Sequence, residues 1–570
     1  MTGLTGLRGL PGAAGVATGP WTSVALAPLP AAGRIEPSQI SDELARVRAA
    51  IEGVARDLDA LAERVRSGGH ETEAAILAAQ VEMARDPGLE EGVREQMATN
   101  GLDAIGAVQA AAASIAEMLA SLDNELLAAR ATDVRDVGER IARTLAGLPT
   151  AATLVEPAIV VDDDLSPAMT ATLPRDRLLG IVLAGSSVTA HAVILARAYG
   201  IPAIVGAREA VAAIRAAGPE ATLAIDGSSG EVVIDPDQAE AARFEALATA
   251  ARADRDRDLR EAGEPASTTD GVAIALLANI GTPDEAAPAV ALGARGVGLF
   301  RTEFLFLERS APPTEDEQVA AYQRVVEAFG GDPVTIRLLD IGGDKPIPYL
   351  SLPPEENPFL GVRALRLAEA RPDLFLTQLR ACYRAAASGP VKVMAPMVAD
   401  AGDVDVLLQL AARARAEAVA AGHPVGDVDL GVMLEIPSAV LTADAYAERI
   451  AFASLGTNDL LQYTLAADRG NPGVERYQDP LHPALLALVR AAVVAADRAT
   501  IELSVCGEMA GDPVAALVLV GLGIRSLSMG ASRLPAVRRG IRTAAVGDLE
   551  ARALASLRAG TAAEVRAAFV

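Results

Sequence analysis

The sequence predicts an α/β multidomain protein: a small α/β domain interrupted by a helical insertion, then a linker helix and a C-terminal (β/α)8 barrel of the TIM type. Three observations predict it. After Gly271, eight short apolar runs are separated by helical segments, the pattern of eight parallel strands closed by their crossovers. Residues 35–148 place apolar side chains at helical spacing. Between these regions, residues 158–234 hold short β-rich runs. At 570 residues the chain exceeds what one core organises. The expected parts are residues 1–34 with 149–234, the insertion 35–148, the linker 235–263 and the barrel 264–570.

The glycine-rich run Leu10–Pro20 reads as a tight loop and a strand. In the insertion, Leu44, Val47, Ile51, Val54, Leu58, Leu61 and Val65 recur at steps of three and four, a seam on one helix face. Ser41 caps that helix, Asp42 and Glu43 favour its first turn, and Gly68-Gly69 ends it. Further helices are expected over Glu71–Arg85, Leu89–Thr99, Leu102–Arg130 and Asp133–Leu148. Strands follow at Ala158–Asp162, Leu179–Leu183, Ala203–Gly206, Ala221–Asp226 and Glu231–Ile234, with a helix over Ala190–Tyr199. Asp235–Gly263 reads as a charged helix without a clear apolar face. The barrel strands are expected at Val272–Leu277, Gly296–Phe300, Val334–Leu339, Val391–Met394, Leu430–Leu434, Ala451–Leu455, Ile501–Val505 and Ile524–Ser528.

A net charge of -25 argues against nucleic acid as the main partner. Two cysteines make no disulfide framework, so a reducing cytoplasm is expected. The first residues lack the pattern of a signal peptide, and no apolar run is long enough for membrane insertion.

Glu435 and Asp459 each end or follow a buried apolar run, and two carboxylates at neighbouring strand ends suit a hard divalent cation, foremost Mg2+. Helix capping is the competing role for Asp459. Arg301 and Arg337 at strand ends, with Arg469 nearby, offer paired donors to an anion. Pairing with a local acid such as Glu303 or Asp340 is the alternative for each, and two such arginines beside a metal site favour the anion. Asn458 is placed to orient a phosphate. Cys506 reads as a general acid or base, or as a small buried hydrophobe; Cys382 reads as core. His70, His423 and His482 sit in turns. His191 opens a helix, where free amides and the helix dipole keep imidazole neutral and would stabilise an attached phosphoryl group, with Thr189 as a further donor. Metal, arginines and a remote histidine together suggest phosphoryl transfer through phosphohistidine.

Asp340-Ile-Gly-Gly-Asp-Lys345, Glu355-Glu-Asn-Pro-Phe-Leu-Gly-Val-Arg363, Gly456-Thr-Asn-Asp-Leu460, Tyr463-Thr-Leu-Ala-Ala-Asp-Arg-Gly-Asn471 and Cys506-Gly-Glu-Met-Ala-Gly511 resemble Enzyme I. That family is the phosphoenolpyruvate–protein phosphotransferase of the bacterial sugar phosphotransferase system. Thr189-Ala-His191 with Ile194-Leu-Ala-Arg-Ala-Tyr-Gly-Ile-Pro-Ala-Ile-Val-Gly206 resembles its phosphohistidine segment, and Arg130-Ala-Thr-Asp-Val-Arg-Asp-Val-Gly138 resembles its insertion that binds the carrier protein HPr. The resemblance implies that the α/β domain is the phosphohistidine domain and the insertion an HPr-binding subdomain. It implies that phosphoenolpyruvate binds the barrel with Mg2+ on Glu435 and Asp459 and its anionic groups on Arg301, Arg337, Asn458 and Arg469. His191 would take the phosphoryl group, Cys506 would protonate the enolate to pyruvate, and HPr would accept from His191. It also implies a cytoplasmic homodimer through the barrel. Ser186-Ser187-Val188-Thr189-Ala190 stands where the family usually has Gly-Gly-Arg-Thr-Ser, and Gln80 where members often carry histidine. A pyruvate phosphate dikinase or phosphoenolpyruvate synthase shares this histidine and barrel but needs a nucleotide-binding region, and no glycine-rich phosphate loop precedes the histidine domain. A regulator that binds without turnover is the other rival.

Overall fold

In a computed structural model of the chain, the described residues are 4–24, 29–67, 71–121, 125–150, 154, 156–165, 173–174, 176–185, 193, 196, 200–307, 309, 311–342, 349–350, 353, 355–469 and 471–569. His191 and Thr189 lie outside them, as does most of the helix expected over 190–199; Val193 and Ala196 are helical and buried. The chain divides into two units, Met1–Arg255 and Asp256–Val570.

The first unit contains one mixed eight-stranded sheet in the order β1-β8-β7-β3-β4-β5-β6-β2. Its strands are β1 (Leu4–Arg8), β2 (Leu10–Ala13), β3 (Val16–Thr22), β4 (Ala158–Asp162), β5 (Leu178–Leu183), β6 (Ala203–Val205), β7 (Thr222–Asp226) and β8 (Glu231–Ile234). The central β3 to β6 run parallel, and antiparallel strands finish both edges. β4 and β6 are buried throughout, as unbroken apolar runs covered on both faces should be.

The helical residues form Ile40–Ser67, Glu71–Ala84, Pro87–Asn100, Ala104–Ser121 and Glu125–Leu145. From Leu44 to Leu58 the predicted seam is the buried stripe: Val47, Val54 and Leu58 pack with Val93, Met97, Val108 and Ile141. The expected break between Arg130 and Asp133 is not where the helices part. The last helix runs unbroken from Glu125 to Leu145, and Val134, Val137, Ile141 and Ala142 continue one buried face along it. Gln80 is buried and donates to Asp133 Oδ1 at 3.1 Å.

The helix Gln238–Arg260 has an anchor the sequence reading lacked: Phe244 is buried against Val233 and Ala224.

In the second unit eight parallel strands close into a barrel: β9 (Ala275–Ile280), β10 (Val297–Phe300), β11 (Val334–Arg337), β12 (Val391–Ala395), β13 (Val428–Leu434), β14 (Phe452–Leu455), β15 (Glu502–Val505) and β16 (Ser526–Gly530). β9 starts three residues later than expected. Val272 belongs instead to a tight turn, in which its amide and carbonyl bond to Thr268 around Gly271 at φ +86°. One continuous apolar core joins barrel and outer helices, with Phe300, Tyr322, Phe375 and Leu434 among its members.

Candidate active site

The candidate site residues of the barrel gather at the carboxyl ends of its strands, while His191 lies outside the described residues. Arg301 directly follows β10 and Arg337 ends β11. Glu435 follows β13, Asn458 and Asp459 occupy the first turn of the helix Thr457–Leu465 after β14, and Cys506 follows β15. Together with Arg469 they line one cavity of about 300 Å³. Its lining also includes Glu303, Asp340 and Arg363, which the sequence reading did not assign as site residues.

Arg337 is buried between two acids: its guanidinium meets Glu303 at 2.9 Å and Asp340 at 3.1 Å. Burial opposes its charge, but Glu303, Asp340 and Glu435 outweigh that and raise its pKa above the ordinary arginine value. Arg363 forks onto Asp340 at 3.0 and 2.9 Å and lies 3.7 Å from Asp459. Of the local partners weighed for the two arginines, Glu303 therefore belongs to Arg337. Among the described residues Arg301 reaches one acid, Glu508, at 3.4 Å, and Glu508 is 74% exposed. An exposed pair of this kind is worth little, which leaves the Arg301 guanidinium available to an anion. Arg469 lies 3.9 Å from Asp459. Asn458 Oδ1 accepts from the Glu508 amide at 3.0 Å.

Asp459 does not cap its helix, whose N-cap is Gly456 and shows no side-chain cap. Among the described residues Asp459 Oδ1 and Glu435 Oε2 are buried and accept no hydrogen bond, whereas Glu435 Oε1 accepts from the Met397 amide at 2.6 Å. Met397 holds a left-handed backbone at φ +58°, which aims that amide at the carboxylate. Two buried carboxylate oxygens without donors are the chemistry a hard cation fits. Burial first, then Asp459 and Asp340, push the Glu435 carboxyl up to about 8.

Cys506 is buried in an apolar cluster with Leu299, Met394, Met433 and Phe452, of which Leu299 and Met433 also line the cavity, so the small-hydrophobe reading describes its surroundings, and its Sγ donates to the Leu455 carbonyl at 3.6 Å. Burial pushes its thiol up to about 11 despite the Ser454 hydroxyl, so at neutral pH it carries its proton. Gly507 beside it is required by close approach, since a Cβ there would fall 1.9 Å from Thr457 Oγ1. Cys382 is core, as expected.

Comparison with known proteins follows the same division of the chain. Residues 8–130 match the family model of the PEP-utilising enzyme N-terminal region, 154–230 that of the mobile domain, and 255–546 that of the PEP-binding domain. A multiphosphoryl transfer protein of Rhodobacter capsulatus is 41% identical over 90% of this chain, which spans 61% of that protein. Phosphoenolpyruvate-protein phosphotransferases of Geobacillus stearothermophilus and Streptomyces coelicolor are 38% and 43% identical over 93% and 95% of this chain, and it spans 91% and 94% of them.

Proposed function

Because this chain belongs to the family of phosphoenolpyruvate-utilising enzymes, with the phosphoenolpyruvate-protein phosphotransferases, we propose that it moves the phosphoryl group of phosphoenolpyruvate to His191 and on to a histidine of HPr. The observation that supports this best is the cavity itself: Arg301, Arg337 and Arg469 converge on one space with Glu435, Asp459 and a protonated thiol. Arg301 and Arg469, whose acid partners among the described residues are distant, receive the phosphate and carboxylate; Arg337 adds a fixed positive charge. His191 attacks phosphorus, the N–P bond forms, the bridging C–O–P linkage breaks at phosphorus, and the electron pair stays on the enolate oxygen. Cys506 then gives its proton to C3 and the enolate becomes pyruvate. Glu435 and Asp459 would hold Mg2+, which when bound offsets negative charge on the reacting oxygens.

The reading includes HPr docking on the helical residues 35–148, transfer by residues 1–34 with 149–234, a linker over 235–263, phosphoenolpyruvate binding by residues 264–570, dimerisation through the barrel, and a cytoplasmic site of action. These elements rest on the family; among the described residues, no helix is long and apolar enough to cross a membrane. The test is stoichiometry. With phosphoenolpyruvate and Mg2+ but no HPr, about one pyruvate per active subunit is expected, and added HPr should convert this burst to steady turnover. Steady turnover without any acceptor contradicts the proposal.

Metal binding should depend on pH with a defined sign. Glu435 is raised from an ordinary 4.5 to about 8, so between those values the folded, metal-free protein binds more protons than the unfolded chain. Its contribution to stability therefore falls as pH rises through that window. Mg2+ needs the ionised carboxylate, so its binding should expel a proton below pH 8 and tighten until about pH 8. Calorimetry in two buffers of different ionisation enthalpy reads this; pH-independent, proton-neutral binding would show that Glu435 is not a ligand.

A further inference from the structure

The geometry points to Gln378 as a positioning residue: a buried carboxamide behind the barrel that fixes the spacing of the two strand-end arginines, Arg301 and Arg337. The inference rests on the function proposed above. It begins with a defect in the strand ladder. Val297 pairs with Val334, but Phe300 pairs with Ile336, so β10 carries one residue more than β11 over the same length. The pairing ends there, one residue before Arg301 and Arg337. Backbone hydrogen bonding between the two strands therefore does not set how far apart the guanidiniums begin.

Gln378 lies on the helix Pro372–Ala385, on the face that also buries Leu374, Phe375, Leu379 and Cys382, and is itself fully buried. Its Oε1 accepts from the Leu339 amide at 2.8 Å. Its Nε2 donates to Thr302 Oγ1 at 3.0 Å and Tyr322 OH at 3.2 Å, and stands 3.4 Å from the Arg337 carbonyl. Thr302 Oγ1 in turn donates to that same carbonyl at 2.9 Å. Thr302 is the neighbour of Arg301, and Leu339 lies two residues past Arg337. One side chain thus holds the end of β10 and the end of β11 at once. On the cavity side Glu303 makes the matching tie, accepting from the Asp340 amide at 3.1 Å and pairing with Arg337. The two strand ends are clamped from front and back, and only the back clamp is out of reach of substrate.

A fully satisfied buried amide has steep geometric preferences, so it transmits position rather than charge. Leucine or methionine would fill the space but leave the Leu339 amide and Thr302 hydroxyl without this partner. Glutamate would keep the acceptor toward Leu339, but when ionised it cannot donate to Thr302 or the Arg337 carbonyl.

The test is calorimetric binding of phosphoenolpyruvate with Mg2+ to the full chain and to Gln378→Met, Gln378→Glu and Thr302→Val, alongside Gln318→Met as control. Gln318 is buried in the same polar cluster but bonds Tyr322 and the Pro313 carbonyl, touching neither strand end. Misplaced arginines should raise Kd and KM for phosphoenolpyruvate by ~10- to 100-fold in both Gln378 variants. Gln318→Met should lower thermal stability with its Kd within about threefold of the parent. Equal weakening by Gln378→Met and Gln318→Met, or unchanged Kd in folded Gln378 variants, overturns the inference. Thr302→Val removes the Thr302 bonds to Gln378 and to the Arg337 carbonyl, leaves the Gln378 bond to the Leu339 amide, and decides the matter if neither Gln378 variant folds; an unchanged Kd there also overturns it. Failure of the parent protein to bind phosphoenolpyruvate would instead overturn the functional proposal, and this inference with it.

Discussion

Arg337→Leu is expected to remove phosphoenolpyruvate turnover almost entirely, lowering kcat/KM by ~10³-fold or more, and to cost about 3–5 kcal/mol of stability. The two losses share one cause. Glu303 and Asp340 are buried and both lean on this guanidinium, and Glu435 also feels its charge. Without Arg337, these acids face one another uncompensated in a low-dielectric setting. The losses can be separated. Arg337→Lys keeps the charge but not the fork that spans Glu303 and Asp340, so it should recover part of the stability and little of the turnover. Arg337→Leu with Glu303→Leu removes one stranded acid along with the cation and should regain stability relative to Arg337→Leu alone, with turnover still absent. Chemical denaturation and active-site-normalised kinetics read both. A turnover that follows stability across the three variants would mean that Arg337 is structural and the anion is held elsewhere.

Cys506→Ala is expected to slow pyruvate formation by ~10²- to 10⁴-fold while phosphoenolpyruvate still binds. The thiol sits on an apolar floor with Leu299 and Met433, holds its proton through neutral pH because burial pushes it up to about 11, and donates to the Leu455 carbonyl rather than to an acid. Removing it takes away the proton donor without taking away any anion contact. Enolpyruvate that escapes would be protonated by solvent from either face. The readout is therefore the configuration at C3 when turnover is run in deuterated water with substrate labelled stereospecifically at that carbon. The parent should give one configuration and Cys506→Ala a mixture. Retention of a single configuration in the variant would assign the proton to another group and leave Cys506 as packing.

The barrel was legible because parallel strands covered on both faces read as continuous apolar runs that stop at a polar residue. Arg301, Glu435 and Cys506 directly followed such runs, and the structure brings them to one cavity. What the sequence did not disclose was pairing. Glu303 was a candidate partner for Arg301, two residues away, yet it turns to Arg337 across the strand ends, while Arg301 meets Glu508 from 207 residues further on. Only closure of the barrel makes those neighbours. Arg363 was visible inside a motif but sits in a loop after β11, and its fork onto Asp340 and approach to Asp459 depend on how that loop returns over the strand ends. Gln378 gave no signal at all, since a helical glutamine ordinarily faces solvent; its neighbours Leu374, Phe375 and Leu379 show that this face points inward. Two boundaries differed: the strand expected from Val272 begins at Ala275 because Val272 bonds back to Thr268 in a turn, and the helix break expected between Arg130 and Asp133 falls within the helix Glu125–Leu145.

The central claim is that phosphorus passes through His191, and phosphoenolpyruvate labelled in its phosphoryl group tests it most directly. The native protein with Mg2+ should acquire label that is stable in base and lost in acid, and it should acquire none in the presence of a chelator. His191→Ala should remain unlabelled while binding phosphoenolpyruvate as tightly as the parent. Acid-labile label on His191→Ala, or an unlabelled native protein that still binds phosphoenolpyruvate and Mg2+, would contradict the phosphohistidine route.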